Sequence, residues 1–194
     1  MHGLVNCSLQ KFLTDTYGRP CWEEITRAGE TGITDFESML QYDNGLTDRI
    51  IRGAEIVLRK PRAILLEDLG TYLVSHPNVE NLRRLLRFGG SDFLEFLYSL
   101  EDLPGRARLA LPDLHLPQMA VEDISANAFL LHVDEGLAGF AQVIAGMLRA
   151  IADDYGALVV LEPSVQTQRR DSLKVLLIES EYAQGRRFEL GAMP

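Results

Sequence analysis

The apolar residues of this chain change their period once, near Pro104, and that change dictates two unlike halves. Before it the spacing is helical. Leu4, Val5, Leu9, Phe12 and Leu13 share one face of a first helix, which the Tyr17-Gly18 and Pro20 punctuation ends. A second short helix runs from Cys21 to Ala28 and stops at Gly29. Thr34-Asp35-Phe36-Glu37 has the form of a capping box, which predicts another short helix there. Leu46, Ile50, Ala54, Val57 and Leu58 form a cleaner stripe. Pro61 then stands where a new helix begins, since its missing N–H costs nothing in a first turn. That helix carries Ile64, Leu65, Leu69, Tyr72 and Leu73 and closes at His76-Pro77. A segment over 81–87 turns Leu82, Leu85 and Leu86 inward and Arg83, Arg84 and Arg87 outward, and Gly89-Gly90 breaks it. Ser91 is predicted to cap a helix with Phe93, Phe96, Leu97, Leu100 and Leu103 on one side, which Pro104-Gly105 stops.

Beyond Pro104, residues 104–120 hold three prolines and read as an extended connection. Ala128–Val133, Ala157–Leu161 and Leu173–Ile178 are short apolar runs rich in Val, Ile and Leu, as in buried strands. Between the first two lies an amphipathic helix with Leu137, Phe140, Ile144, Met147, Leu148 and Ile151 on one side and Gly156 as its stop. Gln166–Asp171 reads as a polar turn, and Arg186-Arg187-Phe188 as a final strand. The expected class is α+β: a helical subdomain over about 1–103, then a connection and an antiparallel sheet packed with a long helix over about 104–194, as one domain spanning 1–194.

The net charge of −9, from 19 Lys plus Arg against 28 Asp plus Glu, argues against a nucleic-acid binder, because phosphate contacts need a basic surface. No apolar run reaches the ~20 residues of a membrane span, and the N-terminus turns polar too early for a secretory signal, so a cytoplasmic protein is expected. Cys7 and Cys21 sit among apolar neighbours and read as buried reduced thiols. No serine has a G-x-S-x-G context, and there is neither a phosphate loop nor a Cys/His metal spacing. The adjacent acids Glu67-Asp68, Glu101-Asp102 and Asp153-Asp154 do not face one another on a helix and read as solvated. Arg83, Arg84 and Arg87 read as a solvated face or a docking site for an acidic partner. These readings leave no catalytic constellation, and the chain is expected not to be an enzyme.

Met1-His2-Gly3-Leu4-Val5-Asn6, Trp22-Glu23-Glu24-Ile25, Gly53-Ala54, Lys60-Pro61 and Gly70-x-Tyr72 together resemble the H-NOX family, the haem-nitric-oxide/oxygen-binding domains. The likeness continues through Gly90-Ser91-Asp92, the Phe93–Leu103 stretch and Leu111-Pro112-x-Leu114, and resumes at Glu135-Gly136-Leu137. The resemblance implies haem as cofactor, a role in gas sensing, and a ligand pocket bordered by Leu4, Leu103, Pro104, Leu130, His132 and Asp134. Two family signatures are altered. The position of the iron-ligating histidine falls on Pro104, which has no side-chain donor. The Tyr-x-Ser-x-Arg signature that holds the haem propionates falls on Leu130, His132 and Asp134, so a carboxylate stands where the family has the arginine fork.

Of the four histidines, His2 and His76 read as structural residues at helix ends, and His132 as a strand-end residue able to pair with a neighbouring acid or a polar ligand. His115, on the connection, is the candidate substitute haem ligand. The resemblance implies a stand-alone signalling module without ordinary haem ligation, acting on a histidine kinase or a cyclic-dinucleotide enzyme. A pocket that has lost haem must be refilled, since interiors do not tolerate voids of about 500–1,000 Å³. The alternatives are a carrier or receptor for an apolar non-haem small molecule, or a haem gas sensor that uses His115.

Overall fold

A computed structural model describes residues 2–134, 136, 138–167 and 170–185. The chain opens with α1 (Gly3–Tyr17), α2 (Arg19–Ala28), α3 (Asn44–Leu58) and α4 (Arg62–Ser75). α5 (Glu80–Arg87), α6 (Phe93–Ser99) and α7 (Leu103–Ala110) follow, with single 3-10 turns at Pro77–Val79 and Leu100–Asp102. The second half is β1 (Met119–Ser125), β2 (Ala128–Asp134), α8 (Phe140–Tyr155), β3 (Leu158–Thr167) and β4 (Arg170–Glu179). The strands form one antiparallel sheet in the order β1-β2-β4-β3. The class is therefore α+β, with helices first and sheet second.

β2 alternates strictly: Phe129, Leu131 and Val133 are buried, and Ala128, Leu130, His132 and Asp134 point to the other face. Leu131 lies opposite Leu173 and Phe129 opposite Val175, so the apolar residues of β2 and β4 share one inner face. α8 packs into the same core through Ile144, Leu148 and Ile151, all 0% exposed. One buried cluster runs from Leu9 through α4 and α8 to Val175 and joins the two halves.

α4 and α8 cross closely enough to require glycine on both. A Cβ on Gly70 would overlap the backbone carbonyl of Val143, and one on Gly146 the carbonyl of Glu67. Thr71 Oγ1 donates to Gly146 O across the same crossing at 3.3 Å. Gly156 ends α8 with φ +74°, the left-handed stop that the sequence predicts.

Several expectations are corrected. Residues 34–37 form no helix. Phe36 is buried between the Trp22 and Tyr42 rings, Trp22 Nε1 donates to Thr34 O at 2.8 Å, and Phe36 N donates to Gln10 Oε1 at 3.0 Å. Neighbouring side chains thus take the backbone groups that a helix would have used. The cap of α6 is Asp92, whose carboxylate accepts from Glu95 N at 2.8 Å, while Glu95 reaches back to Ser91 N at 2.8 Å. Pro104-Gly105 does not stop the chain's helical course but opens α7, so the extended connection begins only at Leu111 and ends at β1.

Arg83 and Asp154 do not face solvent. Arg83 Nε and Nη2 donate to the two carboxylate oxygens of Asp154 at 2.6 and 2.8 Å, and Asp154 is 3% exposed. Arg87 stacks over the Tyr155 ring, 3.8 Å from its centroid. These two contacts dock α5 on the end of α8. Ile64 is exposed rather than in the core. Strand 186–188, Leu137 and the side chains of Leu82 and Leu85 lie outside the described residues. Among the described residues no helix is long and apolar enough to cross a membrane.

Candidate functional site

A cavity of about 760 Å³ lies between the helical layer and the start of α8. α1 contributes Leu4, Val5 and Leu9, α4 contributes Leu66, Leu69 and Leu73, and α8 contributes Phe140, Val143 and Met147. The apolar stripe of α1 is therefore divided: Leu9, Phe12 and Leu13 are core, while Leu4 and Val5 are half-buried at the cavity. α7 supplies the opposing wall. Leu103, Arg106, Ala107 and Ala110 recur at helical spacing and all line the space. Pro104 is buried on α7 but is not among the lining residues. The segment from Leu111 to Leu116 closes the edge.

Two histidines line this cavity, in complementary states. His115 Nδ1 lies 3.1 Å from Asp113 O, and a carbonyl only accepts, so Nδ1 carries the proton and Nε2 keeps a free lone pair. A backbone carbonyl fixing Nδ1–H is also the arrangement that prepares an imidazole to bind a metal through Nε2. His2 is the reverse. Its Nδ1 accepts the Leu4 N–H at 3.2 Å as the cap of α1, which puts the proton on Nε2. His2 is buried, whereas His115 is exposed at the rim.

The cationic groups on the wall are Arg62 and Arg106. Arg62 Nη2 donates to Asp48 Oδ1 at 2.7 Å and so is already neutralised. Arg106 Nη2 donates to Ser99 O at 3.1 Å, and its buried Nε has no hydrogen-bond partner. Sequence reasoning missed His2, Arg62 and Arg106 as cavity residues. For Arg106 the signal was its spacing of three from Leu103, which carries meaning only once α7 is recognised as a helix.

Of the six pocket residues expected from the resemblance, the structure brings Leu4 and Leu103 to the cavity wall. Leu130, His132 and Asp134 do not join them. The two-residue period of β2 turns all three to the outer face of the sheet, where His132 Nδ1 meets Ser172 Oγ at 3.1 Å and Nε2 meets Glu122 Oε2 at 3.0 Å. Asp134 stands opposite Arg170 in the β2–β4 register. His76 stacks on Tyr72 at 4.7 Å, away from the cavity.

Neither thiol is an activated nucleophile. Burial pushes both Cys7 and Cys21 upward, and Cys7 Sγ donates to Phe36 O at 3.1 Å. Among the described residues no three His, Cys, Asp or Glu side chains converge on a metal position. A haem iron does not need such a cluster, because the porphyrin supplies the equatorial ligands and one imidazole suffices from the protein.

The haem-NO-binding family profile matches residues 2–162. The chain belongs to this family. Its domains are sensory and not themselves catalytic. Soluble guanylate cyclase gcy-31 of Caenorhabditis elegans is 26% identical over 165 residues, covering 84% of this chain and 23% of that protein. Guanylate cyclase soluble subunit beta-2 of Rattus norvegicus is 23% identical over 127 residues, covering 62% of this chain and 19% of that subunit. The chain thus spans about a quarter or less of the relatives it matches. In fold it is similar to the Fe(II) unliganded H-NOX protein from K. algicida, with TM-score 0.80 at 17% identity over 95% of this chain and 100% of that one. An H-NOX protein from S. oneidensis in the Fe(II)NO ligation state gives TM-score 0.77 at 15% identity, over 92% of this chain and 100% of that one.

The cavity of this H-NOX domain fits a haem-sized group in volume and in its mainly apolar lining. Of the residues considered as iron ligands, His115 lies on the lining with an imidazole nitrogen to offer, whereas Pro104 is off the lining and has no side-chain donor.

Proposed function

We propose that this domain is a sensor and signalling module that has kept the family's cavity while departing from its usual haem determinants. The observation that carries this reading is an open cavity with two histidines on its wall, of which His115 has its Nδ1 tied to the Asp113 carbonyl. His115 would hold the iron through Nε2, and Leu4, Val5 and Val143 would exclude water from the ring. When bound, haem supplies an iron centre that takes up small gases. His2, with its proton on Nε2, presents a hydrogen-bond donor on the same wall.

Output runs through contact with a separate signalling enzyme. The guanylate cyclase names of two relatives support that class of partner. A histidine kinase or a cyclic-dinucleotide enzyme fits the same role, and a cytoplasmic location follows from it.

The test is absorption of purified protein supplied with haem. A Soret band that shifts with nitric oxide is expected, and His115→Ala abolishes or shifts it while His132→Ala does not. A flat visible spectrum at stoichiometric haem overturns the gas-sensor reading. A second reading, a receptor for an apolar non-haem molecule, draws on the leucine-rich wall. It predicts a co-purifying lipid-like mass in native mass spectrometry, and protein free of added mass counts against it.

A further inference from the structure

One charged group on the cavity wall is not explained by the fold. Arg106 lines the cavity from α7, together with Ala107 and Ala110 of the same helix. Its Nη2 is held by Ser99 O, yet its Nε is sealed from solvent without a partner. Among the described residues no carboxylate forms an ion pair with it, although Asp113 lies on the same lining, and Arg62 by contrast is matched by Asp48. An unsatisfied donor on a cation is costly, so a group that accepts from it gains more than an ordinary hydrogen bond returns.

We infer that Arg106 anchors the carboxylate of an amphipathic, mainly apolar acid seated in this cavity. The inference rests on the reading of the cavity as a ligand site and names the ligand's chemistry. A planar monoanion matches the guanidinium fork in shape and charge, after a rotamer change that turns Nε toward the cavity. A dianionic phosphate would leave one charge uncompensated against leucine and valine side chains. Haem propionates and fatty acids share the required carboxylate. In this site Arg106 takes the part that the outward-facing Asp134 does not play.

Paired ligands that differ only in the carboxylate test the inference. Haem is compared with haem dimethyl ester by Soret absorbance, and oleate with methyl oleate by titration calorimetry. At least one acid is expected to bind roughly tenfold or more tighter than its ester, the range of a charge-assisted hydrogen bond. Arg106→Gln should bring that ratio near one by weakening the acid alone. Arg108→Gln, an exposed charge on the same helix, should leave the ratio unchanged. The series that responds identifies the source, haem or free fatty acid. Equal binding of acid and ester by the unaltered protein, or a ratio that survives Arg106→Gln, overturns the anchor and leaves the cavity reading standing. If no acid and no ester binds, both fall. Should Arg106→Gln not fold, Arg106→Lys keeps the charge without the fork and should lower the ratio, and the unaltered protein's own ratio still decides.

Discussion

Replacing Gly146 with alanine adds one methyl group at the crossing of α4 and α8, and two opposing effects set the outcome. Alanine is the better helix former by about 1 kcal/mol, which favours the variant. Against this, the new Cβ would overlap Glu67 O and lie 2.8 Å from Thr71 N and 2.9 Å from Glu67 C. All three are backbone atoms, so no side chain can swing away and the helices must part. Overpacking of that kind costs about 3 kcal/mol, leaving a net loss of about 2 kcal/mol. In a domain of this size each kcal/mol moves Tm by roughly 2–4 °C, so Gly146→Ala should melt about 4–8 °C lower by circular dichroism. Gly105→Ala is the matched control: it lies in α7, and a Cβ there has nothing within 4 Å. Only the propensity gain remains, and Tm should rise. Gly70→Ala presses on Val143 at the same crossing, so the double variant should lose less than the sum of the two, one separation relieving both overlaps. A Gly146→Ala protein that melts at or above the unaltered Tm refutes the close-crossing argument.

Other outcomes follow from individual contacts. Asp154→Asn breaks the two-pronged bond from Arg83 at a site 3% exposed, and should cost about 3 kcal/mol in urea unfolding; a change below about 1 kcal/mol would make the pair incidental. The Tyr72 hydroxyl and Asn78 Nδ2 donate to Asp15 at 2.5 and 2.8 Å and hold its carboxyl below the usual range. That stabilisation is present above about pH 4, the unfolded value, and is lost as pH falls through the lowered native value. The stability gap between unaltered protein and Tyr72→Phe should therefore be wide near neutrality and shrink as pH falls below the ordinary aspartate value; a gap constant with pH argues against it. Trp22→Phe removes the 2.8 Å bond to Thr34 O and should raise amide exchange across residues 31–43, at a cost of about 1 kcal/mol.

The helices up to His76 were legible because Gly18, Gly29 and His76-Pro77 each end one by a local mechanism that packing does not override. α7 was not legible, because Pro104-Gly105 reads as a breaker unless proline's tolerance in a first turn is given priority, the same rule that reads Pro61 correctly. β1 escaped notice because only Met119 and Val121 are shielded, while the exposed remainder mixes Ala120 and Ile124 with Glu122, Asp123 and Ser125, so no apolar run marks it. The capping-box pattern at Thr34 was real in sequence but lost to the burial of Phe36 against two rings. Arg83 and Asp154 looked solvated because their partnership spans 71 positions and leaves no local trace. At the site, a pocket was legible through the resemblance, as was His115, whereas the wall residues His2, Arg62 and Arg106 were not. Where the resemblance pointed to Leu130, His132 and Asp134, strand parity decided which way those side chains face.

The position of the cavity suggests how occupancy becomes a signal. Its wall draws on α1, α4 and α7 from the helical half and on the start of α8 from the sheet half, so a ligand that fills it touches both. A ligand shifts a conformational equilibrium only by the difference between its contacts in the two states. Contacts confined to one half would therefore leave the relation of the halves unchanged. The anchor on α7 and the apolar wall on α8 belong to opposite sides, and α8 is fixed to α5 through Asp154 and Tyr155. A movement of α7 against α8 on binding would therefore reach α5 through Arg83 and Arg87, which contact Asp154 and Tyr155 of α8. By this reasoning Asp154→Asn should weaken the effect of ligand on a partner enzyme more than it weakens ligand binding. Equal losses in both would mean that the α5–α8 dock serves stability alone.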